Sequence, residues 1–266
     1  MPQIKCNGID VYYEERGSGP PLLLIMGLGA DGSLWEPHVL EYEKHFRCII
    51  IDNRGAGRSG KPAGPYTTAM LAEDAAGVLT SLGINNAHIA GISMGGAIAQ
   101  EIAIRHPELV KSLVLVCTWA KCDNYCTRVF EMLRAMNQTA DATAFTRMLQ
   151  LWIFTPSYHE AFMDDLISRE ESGAKNLYPM PAHAFAAQCD ACIGHNTLDR
   201  LDRIAAPTLI TAGDEDIFTP VRFARILEEK IQGSELFVFK GGAHAHHWEF
   251  LEEFNSRTIE FMRRFR

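Results

Sequence analysis

An α/β domain, with a mostly parallel eight-stranded sheet flanked by helices and interrupted by an inserted helical segment, is predicted by three features of this 266-residue sequence. Short β-rich apolar runs alternate with stretches of helical periodicity at the pace of βαβ units. One of these runs passes through a tight glycine turn straight into a small-residue helix at Ala87-His88-Ile89-Ala90-Gly91-Ile92-Ser93-Met94-Gly95-Gly96. Between about residues 118 and 205 the alternation stops, and the text becomes helical with Pro and Gly punctuation.

The elements follow in order. Residues 4–6 and 9–15 read as strands joined at Asn7-Gly8, a dipeptide suited to a tight hairpin. Gly17-Ser18-Gly19-Pro20-Pro21 breaks the chain before a buried strand at 22–26, which ends in Gly27-Leu28-Gly29-Ala30-Asp31-Gly32. A short helix is expected around 35–42 and a strand at 46–52. A helix at 68–82 stops at Gly83, placed to be its C-cap. The strand at 87–90 leads to a helix at 96–106, and 109–117 is a fully buried strand. Helices are expected at 128–137, 142–154, 159–171 and 181–193 in the insertion. A strand at 207–212, a helix at 220–230, a strand at 235–240 and a terminal helix at 248–265 complete the chain. The core is thus 1–118 with 206–266, and the cap is 119–205.

Composition limits the function classes. With 47% apolar residues the chain can bury one large core. A net charge of −8 with both signs interspersed gives no nucleic-acid footprint. The apolar runs are too short to span a bilayer. The first residues carry no apolar leader-like region, and seven is an odd number of cysteines, so reduced thiols and a cytoplasmic location are expected. Cys122 with Cys126, and Cys189 with Cys192, have spacings seen in zinc sites. They lie far apart in helical text, and free thiols are the reading adopted.

Gly91-Ile92-Ser93-Met94-Gly95 is a G-x-S-x-G elbow. A serine on so sharp a turn crowds its neighbours two residues away unless they lack a Cβ, and Gly91 and Gly95 give that room. The turn exposes the Ser93 hydroxyl and leaves the Met94 amide free at a helix N-terminus to stabilise an oxyanion. A serine is a weak nucleophile without a base and a group to orient that base. The loop after 207–212 offers Asp214 and Asp216, and the loop after 235–240 offers His244, with His246 and His247 close by.

With these pieces in order, the chain resembles the α/β-hydrolase superfamily over essentially its whole length. The resemblance rests on the elbow through Gly96, on Gly213-Asp214-Glu215-Asp216 through Thr219-Pro220, and on Gly242-Ala243-His244 with Glu249 and Phe254 behind it. It selects Asp216 as the acid and His244 as the base, giving a Ser93–His244–Asp216 triad for acyl transfer. It also implies the Leu28 amide as the second oxyanion donor, each donor being worth about 3 kcal/mol. Met26 stands where the common pattern has His, which leaves the amide in place and the positioning of the turn open. Asp52-Asn53-Arg54-Gly55-Ala56-Gly57-Arg58-Ser59 matches a superfamily turn and reads as structural, with Asp52 and Arg54 in ion pairs or hydrogen bonds.

Trp119 and Trp152 are the candidate substrate contacts from the cap. Within the superfamily the text is similar to 3-oxoadipate enol-lactonases and aminoacrylate hydrolases, which implies hydrolysis of a small carboxylic ester or lactone without cofactor or metal. A homodimer is left open. Carbon–carbon bond hydrolysis, cofactor-free peroxide chemistry and a low-turnover signalling receptor are the alternatives on the same triad.

Overall fold

The computed structural model describes residues 2–265. Its strands are β1 (Gln3–Cys6), β2 (Ile9–Arg16), β3 (Pro21–Ile25), β4 (Arg47–Ile51), β5 (Ala87–Ile92), β6 (Val110–Val116), β7 (Thr208–Gly213) and β8 (Glu235–Phe239). They form one sheet in the order β1-β2-β4-β3-β5-β6-β7-β8. The pairs β1–β2 and β2–β4 are antiparallel and all others parallel. The hairpin turn sits where the sequence puts it, with Asn7 at φ 46° and Gly8 at φ 79°, the double left-handed geometry of a two-residue turn.

The helices are α1 (Glu36–Tyr42), α2 (Thr68–Ser81), α3 (Met94–Arg105), α4 (Asn124–Thr139), α5 (Ala142–Ile153), α6 (Pro156–Ala161), α7 (Met163–Ala174), α8 (Ala182–Gly194), α9 (Arg222–Lys230), α10 (His246–Glu249) and α11 (Leu251–Arg263). Side chains alternate along each central strand. Leu23, Ile25, Ile49, Ile51, Ile89 and Leu113 face α2 and α3, whereas Leu22, Leu24, Ile50, Ile92, Val114 and Val116 face the layer containing α1 and α11. Both faces are covered, which is why these strands read as continuous apolar runs rather than as alternating ones. Among the described residues, no helix is long and apolar enough to cross a membrane.

Between β6 and β7 the chain leaves the sheet as α4 to α8. Local signals start three of these helices: Asp123, Asp141 and Thr155 accept from the amides of Cys126, Ala144 and Tyr158 at 2.8, 2.8 and 3.2 Å. The base of the excursion is zipped. Lys121 and Asn196 form an antiparallel bridge, and Thr197 N donates to Ala120 O at 2.8 Å.

Two expected helices are each interrupted. The one at 159–171 is two, α6 and α7, broken at Phe162 (φ −130°, ψ 35°), whose ring lies 4.6 Å from Tyr158, which itself stacks on Phe154. The terminal helix breaks at Phe250 (φ −120°, ψ 46°), where the ring turns inward against Phe239 at 5.6 Å. In both places aromatic packing overrides a sequence with no Gly or Pro to mark the break.

Candidate active site

The carboxyl ends of β3, β5, β6, β7 and β8 place five loops side by side, the usual site of chemistry in an open α/β sheet. At the end of β5, Ser93 adopts φ 55° and ψ −114°, a conformation that few side chains other than hydrogen tolerate. Its amide donates to Val116 O at 2.8 Å, and its carbonyl accepts from Gly96 N, Ala97 N and Thr118 Oγ1. These bonds hold the strained turn from both sides.

The flanking glycines have the predicted steric reason. A Cβ on Gly91 would overlap the Gly95 carbonyl, and one on Gly95 would overlap Ile25 O and stand 2.9 Å from Met26 O. The turn after β3 is equally close: a Cβ on Gly27 would lie 3.2 Å from Ser93 Cβ. Met94 is the first residue of α3, so its amide has no intrahelical acceptor. Among the described residues neither the Met94 nor the Leu28 amide donates to any other group. The Met94 N–H is thus free directly after Ser93, and the Leu28 N–H is free directly after Gly27, whose backbone closes on Ser93.

Of the two acids, Asp216 is buried and Asp214 is exposed, its carboxylate taken by Gly241 N at 2.6 Å. Asp216 Oδ2 lies 2.9 Å from His244 Nδ1. Its Oδ1 accepts from the amides of Phe218 (2.7 Å) and Thr219 (2.8 Å), an Asp-turn that aims the carboxylate. Thr219 Oγ1 stands 2.8 Å from Asp216 Oδ2, 3.0 Å from His244 Nδ1 and 3.1 Å from Cys117 O. The Phe218 ring packs on the imidazole at 4.5 Å.

Burial opposes the Asp216 charge, but the His244 charge and these hydrogen bonds outweigh it and hold the carboxyl below its ordinary value. For His244 burial works against the imidazolium, while Cys117 and Asp216 favour it, and the net direction is up. Burial pushes the Cys117 thiol above its ordinary value, so it is neutral near pH 7. The charge that raises His244 is therefore the Asp216 carboxylate.

Cys117, at the end of β6 with φ 41°, donates its amide to Thr211 O at 2.9 Å and gives its carbonyl to Thr219 Oγ1. Thr219 thus ties the imidazole to the end of β6, the strand whose Val116 carbonyl holds the Ser93 amide. Ser93 Oγ itself makes no hydrogen bond among the described residues, and His244 uses only Nδ1. Such a contact is often loose without substrate and closes on binding.

His246 and His247 turn elsewhere. His246 Nε2 meets Thr211 Oγ1 at 3.0 Å, and His247 Nδ1 meets His38 Nε2 at 3.1 Å, in a buried cluster closed by Asn255 on His38 at 2.7 Å. The loop carrying His244 is fixed by Glu249, whose Oε2 accepts from Ala243 N at 2.7 Å and whose Oε1 accepts from Thr155 N of the cap at 2.8 Å. Thr219 and Cys117 were not singled out from sequence for a role here. The Asp216-x-x-Thr219 spacing of an Asp-turn is the signal that finds the first, and nothing local marks the second.

The tryptophans separate. Trp119 has no surface open to solvent and packs against Phe130 and His195, which makes it part of the cap–core packing and not an accessible wall. Trp152 is half-buried on α5. The turn after β4 is structural, as expected: Arg54 pairs with Asp74 at 2.7 Å in the interior, and Asp52 accepts from Gly32 N and Arg58 N. Cys122 Sγ and Cys126 Sγ lie 2.9 Å apart, and all seven cysteines are unbridged. Among the described residues no group of three or more His, Cys, Asp or Glu is arranged to hold a metal ion.

Residues 20–251 match the family model described as the alpha/beta hydrolase fold. The chain is 30% identical over 262 residues to a protein of Azorhizobium caulinodans named as the carbamate hydrolase RutD, covering 98% of each. It is 27% identical to a protein of Mycobacterium tuberculosis named as the non-heme bromoperoxidase BpoC, covering 95% of this chain and 97% of that one. The crystal structure of the enol-lactonase from Burkholderia xenovorans LB400 superposes with a TM-score of 0.89 at 26% identity, covering 98% and 99% of the two chains. Sequence, strand order and elbow agree, and this chain is a member of the α/β-hydrolase family.

Proposed function

We propose that the protein is a serine hydrolase that cleaves a small carboxylic ester or lactone through an acyl-enzyme. The observation that carries this reading is the buried Asp216–His244 pair at 2.9 Å beside a serine held on a strained elbow, with the free Met94 and Leu28 amides next to it. In the forward step His244 Nε2 takes the Ser93 proton as Oγ attacks the carbonyl carbon, and Asp216 accepts from Nδ1–H and stabilises the imidazolium. The carbonyl oxygen becomes an oxyanion between the Met94 and Leu28 amides. The tetrahedral adduct collapses, and His244 returns the proton to the departing alkoxide. Water repeats the sequence on the acyl-Ser93 ester and releases the acid.

The proposed substrate class follows from a site that stabilises one developing oxyanion, and from the name of the enol-lactonase relative. Trp152 is the cap side chain assigned to substrate contact in this reading, and Trp119 is not. The test is labelling with a fluorophosphonate, adduct mapping by mass spectrometry, and a panel of p-nitrophenyl esters, lactones, carbamates and vinylogous diketones, with Ser93→Ala as control. An adduct on Ser93 and turnover of esters or lactones is expected. Labelling elsewhere, or turnover confined to diketones, refutes the assignment.

A further inference from the structure

The amide that follows Leu28 is engaged: Gly29 N donates to Gln188 Oε1 at 2.9 Å. Gln188 lies on α8 of the cap, 159 residues away in sequence, and is completely buried. Its Nε2 donates to Arg54 O at 2.8 Å, so one carboxamide joins the turn after β3 to the turn after β4. The same face of α8 presses on both turns. A Cβ on Gly29 would stand 2.8 Å from Phe185 Cε2, and one on Gly55 would stand 3.2 Å from Ala184 Cβ.

The other side of the turn is held from within the core, where Asn53 Nδ2 donates to Met26 O at 2.8 Å. The three successive peptide planes therefore have distinct partners. The plane 26–27 is fixed through the Met26 carbonyl by Asn53, and the plane 28–29 through the Gly29 amide by Gln188. Between them, the plane 27–28 carries the free Leu28 N–H. That plane turns about ψ of Gly27 and φ of Leu28; Gly27, with no Cβ, leaves the first permissive, and Gly29 at φ 73° gives the next plane the same freedom. The Gly27 carbonyl of plane 27–28 accepts one long bond from Ala30 N at 3.4 Å, and the two side-chain clamps fix the planes on either side.

We propose that Gln188 is a positioning residue for the oxyanion turn, so that the cap completes the hole by clamping the plane next to the Leu28 amide. This rests on the reading of Leu28 as an oxyanion donor. Donors must point at the oxyanion before it forms, and misplacement costs rate and not ground-state binding. Packing of the cap onto the turn is thus a condition for catalysis as well as for shaping the pocket.

The test compares wild type, Gln188→Met and Gln188→Glu in three assays: p-nitrophenyl acetate hydrolysis, the rate of Ser93 labelling by a fluorophosphonate, and inhibition by phenylboronic acid. Gln188→Met keeps volume and removes both hydrogen bonds. We expect kcat and the labelling rate to fall about ten- to hundredfold with KM nearly unchanged, and boronic acid inhibition to weaken in proportion. In Gln188→Glu a protonated carboxyl reproduces both bonds and a carboxylate loses the one to Arg54 O. Its labelling rate relative to wild type should be near unity at acid pH and fall as pH rises. That ratio decides the matter even if Gln188→Met fails to fold. Wild-type labelling and boronic acid affinity in Gln188→Met, or a pH-independent ratio in Gln188→Glu, overturns the inference alone. A wild type that is not labelled at Ser93 overturns the hydrolase reading, and this inference with it.

Discussion

The elbow rests on two missing Cβ atoms, and a graded series of glycine substitutions measures what they are worth. At Gly194, the last residue of α8, a Cβ meets nothing within 4 Å and φ is negative, so Gly194→Ala should stabilise by about 0.5 kcal/mol through the unfolded chain. Gly83 also has open space, but its φ of 69° makes alanine costly by about 1 kcal/mol. At Gly95 the new methyl would overlap Ile25 O and lie 2.8 Å from its carbonyl carbon, an ångström or so inside contact. Ile25 pairs with β4 on one side and β5 on the other, so it cannot retreat. The expected cost exceeds about 3 kcal/mol, the upper end of overpacking, with loss of Ser93 labelling in whatever folds. Urea denaturation of the three variants reads the order directly. A Gly95→Ala protein with wild-type midpoint and labelling rate would refute the steric account of the elbow.

Three further outcomes are expected. Because Asp216 raises His244 above its ordinary value, the acid limb of kcat/KM for a p-nitrophenyl ester should lie above about pH 6.5, and in Asp216→Asn it should move down as burial alone remains, with kcat reduced about 10⁴-fold. A limb that stays in place breaks the link between the two residues. Burial lowers His38, His88, His195 and His246 to about 4, so the unfolded chain binds more protons between about pH 6.5 and 4 and stability falls as pH drops through that window. The loss at pH 5 is about 2 kcal/mol per histidine as an upper bound, and a urea midpoint equal at pH 7 and pH 5 would contradict it. Glu249→Gln puts an amide N–H₂ against one of two backbone donors, so a loss of about 1–2 kcal/mol in a urea titration is expected, with a fall in kcat as the His244 loop loosens.

Much of this was legible in the sequence, because the strand–turn–helix text around Ser93 has few other physical uses. Gly91 and Gly95 announce a steric demand, and the structure shows which carbonyls make it. The acid and base were narrowed to Asp214 or Asp216 and to three histidines, and only the family pattern separated them. Burial separates the acids and hydrogen-bond partners separate the histidines, His244 meeting Asp216 while His246 meets Thr211 and His247 meets His38, and neither leaves a periodic trace in single loop residues. Breaks at Phe162 and Phe250 were missed because each is driven by an aromatic ring finding a partner distant in sequence or stacked a turn away. Trp119 is a candidate substrate contact in the sequence because it directly follows a sheet strand, yet Phe130 and His195 close over it. Gln188 shows the limit most clearly: an unremarkable glutamine in a small-residue helix gains its partners only from two turns, 159 and 134 residues earlier.

The zipped neck at Lys121–Asn196 and Thr197–Ala120 carries one more consequence. The chain departs from β6 and re-enters at β7, two adjacent strands in register, so the span between them is a detour whose ends already touch. Its length can change without moving a rung of the ladder beneath, so long as α8 keeps its hold on the turns after β3 and β4. Diversity in what relatives are named for is then free to accumulate in the detour, while the scaffold below stays nearly superposable.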